Sequence, residues 1–279
     1  MSRFLPVLLP LVALLFVGLL ILGMLQIRDR YSGPLLADPS RFVPVATSSP
    51  GFDLREPGNV CQGTVGRPAP GEPAVFDPQY TKQKTVLGIH IVGFDSVANR
   101  AFEEAEDTIK HMFEGSELIE LLVAEGAYVI ITDAKQSVLE LPEFSCLASS
   151  NAAGIYDHVC GVADSADYPV VTVNELDLLG DRFGPCRGLN ILYHELGHLV
   201  HGWAVTPAEY LDVSLFYQEA LDEGRYDGQY AARNPNEYFA EATQAYFLSV
   251  NRRGNRDAEW LKGYDPQIFA LLEEVFGGN

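Results

Sequence analysis

Basic residues are scarce in this chain. Nineteen Lys and Arg stand against 38 Asp and Glu, a formal net charge of −19. No stretch gathers the cations into the stripe that a phosphate backbone demands, so nucleic acid is excluded as a partner. Cysteine is also sparse. Cys61, Cys146, Cys160 and Cys186 contain no CxxC spacing, which excludes a structural zinc site of the finger kind. An even count fits two disulfides, in any of three pairings, or buried free thiols. Internal repeats are absent, which excludes a solenoid or an array. What the chain does have is apolar surface to bury: 47% of its 279 residues are hydrophobic, enough for a substantial core and too many for bulk disorder.

Part of that apolar content lies at the N-terminus. The run from Phe4 to Ile27 carries no charge and is bracketed by Arg3 and by Arg28 and Arg30. It is long for a signal-peptide core, and "GMLQIRDR" offers no small-x-small cleavage site. About 20 apolar residues cross a bilayer, so residues 1–30 are expected to form a membrane-spanning signal anchor. The four cysteines lie downstream of it and favour a catalytic part outside the cytoplasm, membrane-anchored, or secreted if the segment is cleaved. Residues 31–83 are rich in Pro, Gly and Ser without a sustained period, as in "TVGRPAPGEPAVFDP". They are expected to be a stalk or wrapping segment, leaving 84–279 as the catalytic domain.

Within that domain "KTVLGIHIVGF" (84–94), "AYVIITD" (127–133) and "YPVVTVNEL" (168–176) have strand character, and helical spacing runs from Ser96 to Gly126 between the first two. Beyond Gly188 every pattern is helical: 188–203, 206–224, 236–251 and the closing "DPQIFALLEEVF". The predicted class is α+β, with a small mixed sheet first and a helical C-terminal half.

The chemistry concentrates in "LNILYHELGHLVHGWA". His194 and His198 are four apart, so a helix sets both imidazoles on one face toward one metal ion. Glu195 is then placed to reach a metal-activated water, the arrangement of the H-E-x-x-H peptidases. Catalytic zinc needs a third protein ligand and an open position. The metzincin continuation would put glycine and histidine where this chain has His201 and Ala204, so that class is excluded. A second helix can supply the ligand. In "NPNEYFAEATQAYF", Asn236 is the expected N-cap, and Glu237 and Glu241 fall on one face. Helix geometry leaves open which of the two binds metal and which orients a histidine.

H-E-x-x-H followed by N-E-x-x-x-[DE] resembles the gluzincin metallopeptidases. "HELGH" with "EYFAEA" is similar to the catalytic domain of anthrax lethal factor and to the proline-proline endopeptidases. The resemblance implies a zincin-like fold, one zinc ion per chain, a peptide or protein substrate, Glu237 as ligand and Glu241 as orienting partner. It also implies an active-site tyrosine seven residues before the ligand glutamate, which is Tyr230 here. Where the family carries an acidic residue this chain has His201, expected to line the cleft or to hydrogen-bond locally. His90, His111 and His158 have no motif around them and are expected to be structural.

The function implied is zinc-dependent endopeptidase action. Glu195 serves as general base and Tyr230 as oxyanion donor, and an extended peptide is expected to lie along the strand at "VVTVNE". A membrane-tethered binding module without turnover is the alternative, which retention of Glu195 and Tyr230 together speaks against. Hydrolysis of a non-peptide ester or amide is a third.

Overall fold

The computed structural model describes residues 74–149, 153–156, 159–164, 169–248 and 256–277. The segment 1–30, expected to span a membrane, and most of 31–83 lie outside these residues, as does His158. Among the described residues no helix is long and apolar enough to cross a membrane.

The expected strand over 84–94 is a hairpin. Strands β1 (Lys82–Val86) and β2 (Ile89–Gly93) pair antiparallel across Leu87 and Gly88, whose φ angles of 49° and 88° give the turn that matches the twist of paired strands. The helical stretch after it is likewise two elements, α1 (Asn99–Phe113) and α2 (Leu118–Ala124), separated at Gly115 with φ 84°. Strands β3 (Tyr128–Thr132), β4 (Gly161–Asp164) and β5 (Val170–Asn174) complete a five-stranded sheet of order β1-β2-β3-β5-β4. Strands β2, β3 and β5 are parallel, and β4 runs antiparallel to β5.

Alternation along the central strands feeds two cores. Ile91, Val129, Ile131, Val171 and Val173 face the larger one, with the helices. Val92, Tyr128, Ile130 and Val170 face a smaller one, with Val138, Leu141 and Phe144. Buried Glu143 sits beside that smaller core and accepts hydrogen bonds from the hydroxyls of Tyr80 and of Tyr128, the latter at 2.9 Å. His90 and His111 make local contacts with Thr85 and Tyr193.

Short helices α3 (Ala153–Tyr156) and α4 (Glu175–Leu178) flank the sheet's last strands. Thereafter the chain is helical: α5 (Leu192–Leu199), α6 (Pro207–Asp222), α7 (Pro235–Phe247), α8 (Ala258–Tyr264) and α9 (Pro266–Gly277). The class is α+β, a small mixed sheet followed by helices, as the sequence predicts.

Candidate active site

Helix α5 carries the histidine pair, and its start is fixed by Asn190. The Asn190 side-chain oxygen accepts the Leu192 N–H at 3.0 Å, while its amide donates to Thr108 on α1 at 2.9 Å. Its backbone carbonyl accepts from Gln244 on α7 at 3.1 Å. One polar residue thus ties the active-site helix to both neighbours. Helix α7 opens at Pro235, with Asn234 as the cap: its side chain accepts the Glu237 N–H at 2.9 Å. The sequence expectation of Asn236 is therefore corrected. Proline lacks an N–H and suits the first helical position, so the cap must precede it. Glu237 consequently stands in the first turn.

The two helices meet at Gly197. A Cβ added there would lie 3.0 Å from Cβ of Thr243 and 3.2 Å from Cα of Ala240, an approach only glycine permits without displacement. Across that contact three donor atoms converge. Nε2 of His194 and of His198 are 3.1 Å apart, and Oε2 of Glu237 lies 3.2 Å from the first and 3.3 Å from the second.

That triangle fits a metal. Tetrahedral zinc with bonds of about 2.0–2.1 Å separates its ligands by about 3.3 Å. Oε2 of Glu237 is buried without a hydrogen-bond donor, a costly arrangement that a cation would satisfy. Burial opposes ionisation of Glu237, yet the neighbouring imidazoles of His198 and His194 hold its carboxyl well below the usual carboxylate range. For His194 burial opposes the charge, but the close approach of Glu237 and the charges of Glu195 and Glu241 outweigh it and raise the ring to about 9. Both shifts belong to the metal-free chain and register a site built around positive charge.

Glu241, one turn along α7, places Oε1 3.6 Å from Nδ1 of His194, on the side of the ring away from Glu237. Tyr230, in the short 3-10 turn Tyr230–Ala232, donates its hydroxyl to Oε1 of Glu237 at 3.0 Å. Burial and the Glu237 charge push that phenol up, so it remains a proton donor through neutral pH. Arg233 lies over its ring at 4.2 Å. Glu195 is 6% exposed, and burial pushes its carboxyl up to about 8, with His194 opposing and Glu237 adding to the rise.

His201 does not join the metal-facing atoms. After Leu199 the helix loosens into a π-turn, Val200–Ala204, which rotates His201 out of the face shared by His194 and His198. Its ring is 2% exposed and stacks between Tyr210 and Phe239, with centroids at 4.6 and 5.0 Å. It packs α5 against α6 and α7 rather than lining the cleft.

The strand expected to form an open edge, β5, is interior, with β3 on one side and β4 on the other. Its run of buried residues already has the character of an interior parallel strand. The edge on this side is β4, which the sequence reading missed: four residues are too few to reveal alternation. It passes directly over the site, since a Cβ on Gly161 would lie 2.7 Å from Cδ1 of Ile191 and 3.0 Å from Oε1 of Glu195. A disulfide from Cys160 to Cys186 anchors its start, and Cys146 is disulfide-bonded as well. The loop reaching Cys186 is shaped by buried Asp177, whose carboxylate accepts the N–H of Cys186 at 2.9 Å and of Gly188 at 2.8 Å.

Comparison with known proteins bears on this arrangement. The family model described as anthrax toxin lethal factor, N- and C-terminal domain, matches residues 81–275. Among curated proteins none matches. Among solved structures, the PRO-PRO endopeptidase PPEP-2 from Paenibacillus alvei is similar, with a TM-score of 0.47 and 21% identity over 67% of this chain and 97% of that one.

Proposed function

As a member of the anthrax toxin lethal factor domain family, the chain is a metalloendopeptidase, and we propose that it works with one zinc ion held by His194, His198 and Glu237. The observation that carries this reading is the triangle of donor atoms with edges of 3.1 to 3.3 Å, closed by a buried carboxylate oxygen that lacks a donor. Zinc bound there supplies Lewis acidity toward a carbonyl and makes water a nucleophile near neutral pH.

The protein's part is positioning and proton transfer. Glu195 accepts a proton as the water oxygen bonds to the scissile carbonyl carbon, and then delivers it to the leaving nitrogen as the C–N bond breaks. Tyr230, protonated throughout, turns its hydroxyl from Glu237 to the developing oxyanion. Glu241, with Oε1 3.6 Å from Nδ1 of His194, favours the tautomer that leaves Nε2 free to hold the metal. The substrate is a peptide or protein, and an extended segment adds alongside β4, the edge strand above Glu195. The catalytic part operates on an oxidising side of the membrane, a reading supported by the Cys160–Cys186 disulfide. Its tether is the apolar run 4–27, which lies outside the described residues.

Elemental analysis of the purified chain and mapping of cleavage sites in a denatured proteome test the proposal, with Glu195→Gln as control. About one zinc per chain is expected, retained in the variant, with turnover lower by on the order of 10²-fold or more. Absence of zinc together with no activity on adding it would refute the enzyme reading; near-normal hydrolysis by the variant would refute Glu195 as base.

A further inference from the structure

We propose that Asp265, at the junction of α8 and α9, is a positioning residue that holds the Tyr230 hydroxyl against Glu237. Asp265 is fully buried and lies outside the metal-facing cluster. Its Oδ2 accepts the hydroxyl of Tyr238 at 2.7 Å and that of Tyr226 at 3.2 Å, and its Oδ1 accepts from Nη1 of Arg225 at 3.3 Å. These donors belong to the two arms that meet at the site. Tyr238 directly follows Glu237 on α7. Arg225 and Tyr226 open the loop that ends at Tyr230.

The loop needs such a hold. Tyr226 has a φ of 63°, a left-handed backbone that a tyrosine keeps only where its surroundings over-determine it. Its N–H donates to the Tyr264 hydroxyl at 3.0 Å, and its carbonyl accepts the Gln229 N–H at 2.8 Å, one residue before Tyr230. Asp265 is itself fixed, its N–H donating to the Leu261 carbonyl at 2.8 Å and its carbonyl accepting the Phe269 N–H at 3.2 Å. A helix junction that needed only stability would be served as well by apolar side chains, because a buried charge is expensive to desolvate. A single carboxylate accepting from both arms instead sets the register of one against the other. Burial, followed by the charge of Asp265, pushes the phenol of Tyr226 far up, so it remains a donor.

The expected effect on rate rests on the reading of Tyr230 as oxyanion donor; the geometric effect does not. Asp265→Asn should lower kcat by about 10- to 100-fold through misplacement, with KM and zinc content nearly unchanged. In a Tyr230→Phe background the same substitution should cost less than about twofold, because the group it positions is gone. Full additivity of the two losses would overturn the proposal. Tyr226→Phe is the milder variant should Asp265→Asn fail to fold, since it leaves Asp265 paired with Arg225 and Tyr238; a smaller loss with the same non-additivity is expected. If Tyr230→Phe alone leaves the rate unaltered, the oxyanion reading fails, and fluorine NMR of 3-fluorotyrosine at position 230 in the metal-free chain decides the positioning. A shifted or broadened resonance in the Asp265→Asn and Tyr226→Phe chains sustains it, and unchanged resonances in the variants that fold overturn it.

Discussion

Glu237 divides its two oxygens between two tasks: Oε1 accepts the Tyr230 hydroxyl at 3.0 Å, and Oε2 faces Nε2 of both His194 and His198 within 3.3 Å. The carboxylate that would hold the metal therefore also parks the hydroxyl that would stabilise the oxyanion. Tyr230→Phe is expected to lower the rate by about 2 kcal/mol or more in the barrier with zinc intact. Steady-state kinetics beside zinc analysis checks this; a rate equal to the parent's would reduce Tyr230 to packing.

Glu237 and Glu241 share a helix face but not a distance, since Glu241 stops 3.6 Å from Nδ1 of His194. Glu237→Ala should lose most of the zinc affinity, whereas Glu241→Ala should weaken it by about 10- to 100-fold. Competitive zinc titration with a chromogenic chelator ranks the two. The reverse order would mean that the roles are exchanged.

Gly161 leaves no room for a side chain, because a Cβ there would lie 2.3 Å from the Thr172 carbonyl oxygen as well as 3.0 Å from Glu195. Gly161→Ala should displace β4, lower kcat/KM and destabilise the fold by about 1–3 kcal/mol, with zinc content unchanged. Thermal melts and kinetics on one preparation test it, and an unaltered kcat/KM would detach β4 from catalysis.

Glu143 provides a pH signature away from the site. Burial raises its carboxyl in the folded chain, although the hydrogen bonds from Tyr80 and Tyr128 oppose the rise. A raised folded-state value means that the folded chain keeps a proton which the unfolded chain releases. The stabilising contribution is therefore complete below the unfolded carboxyl value and is lost as pH climbs through the folded one. Glu143→Gln removes the titration, so its denaturant stability should fall less than the parent's as pH is raised from acid to neutral. Parallel curves would exclude Glu143 as the source.

The site was more legible than the sheet around it, for a physical reason. His194, Glu195 and His198 are local in sequence, and helix geometry alone brings the histidines together; Glu237 and Glu241 are local to a second helix. Which helices touch, and how closely, depends on Gly197 and on packing that no short window contains. Strand β4 is four residues long and shows no usable period, while the continuous apolar run of β5 marked an interior strand that had been expected at an edge. The cap on α7 was readable from Pro235 yet was placed two residues late. The π-turn that diverts His201, the Cys160–Cys186 pairing and the Asp265 contacts all depend on long-range packing, and nothing local announces them.

Gly197 also bears on how closely the donor atoms can be held. With no side chain between them, the backbones of α5 and α7 act as the closed jaws of a caliper whose opening at the donor atoms is set at 3.1 to 3.3 Å. A methyl group at position 197 would press Thr243 and Ala240 back by a few tenths of an ångström, so the closeness of the jaws depends on a residue that supplies none of the donor atoms.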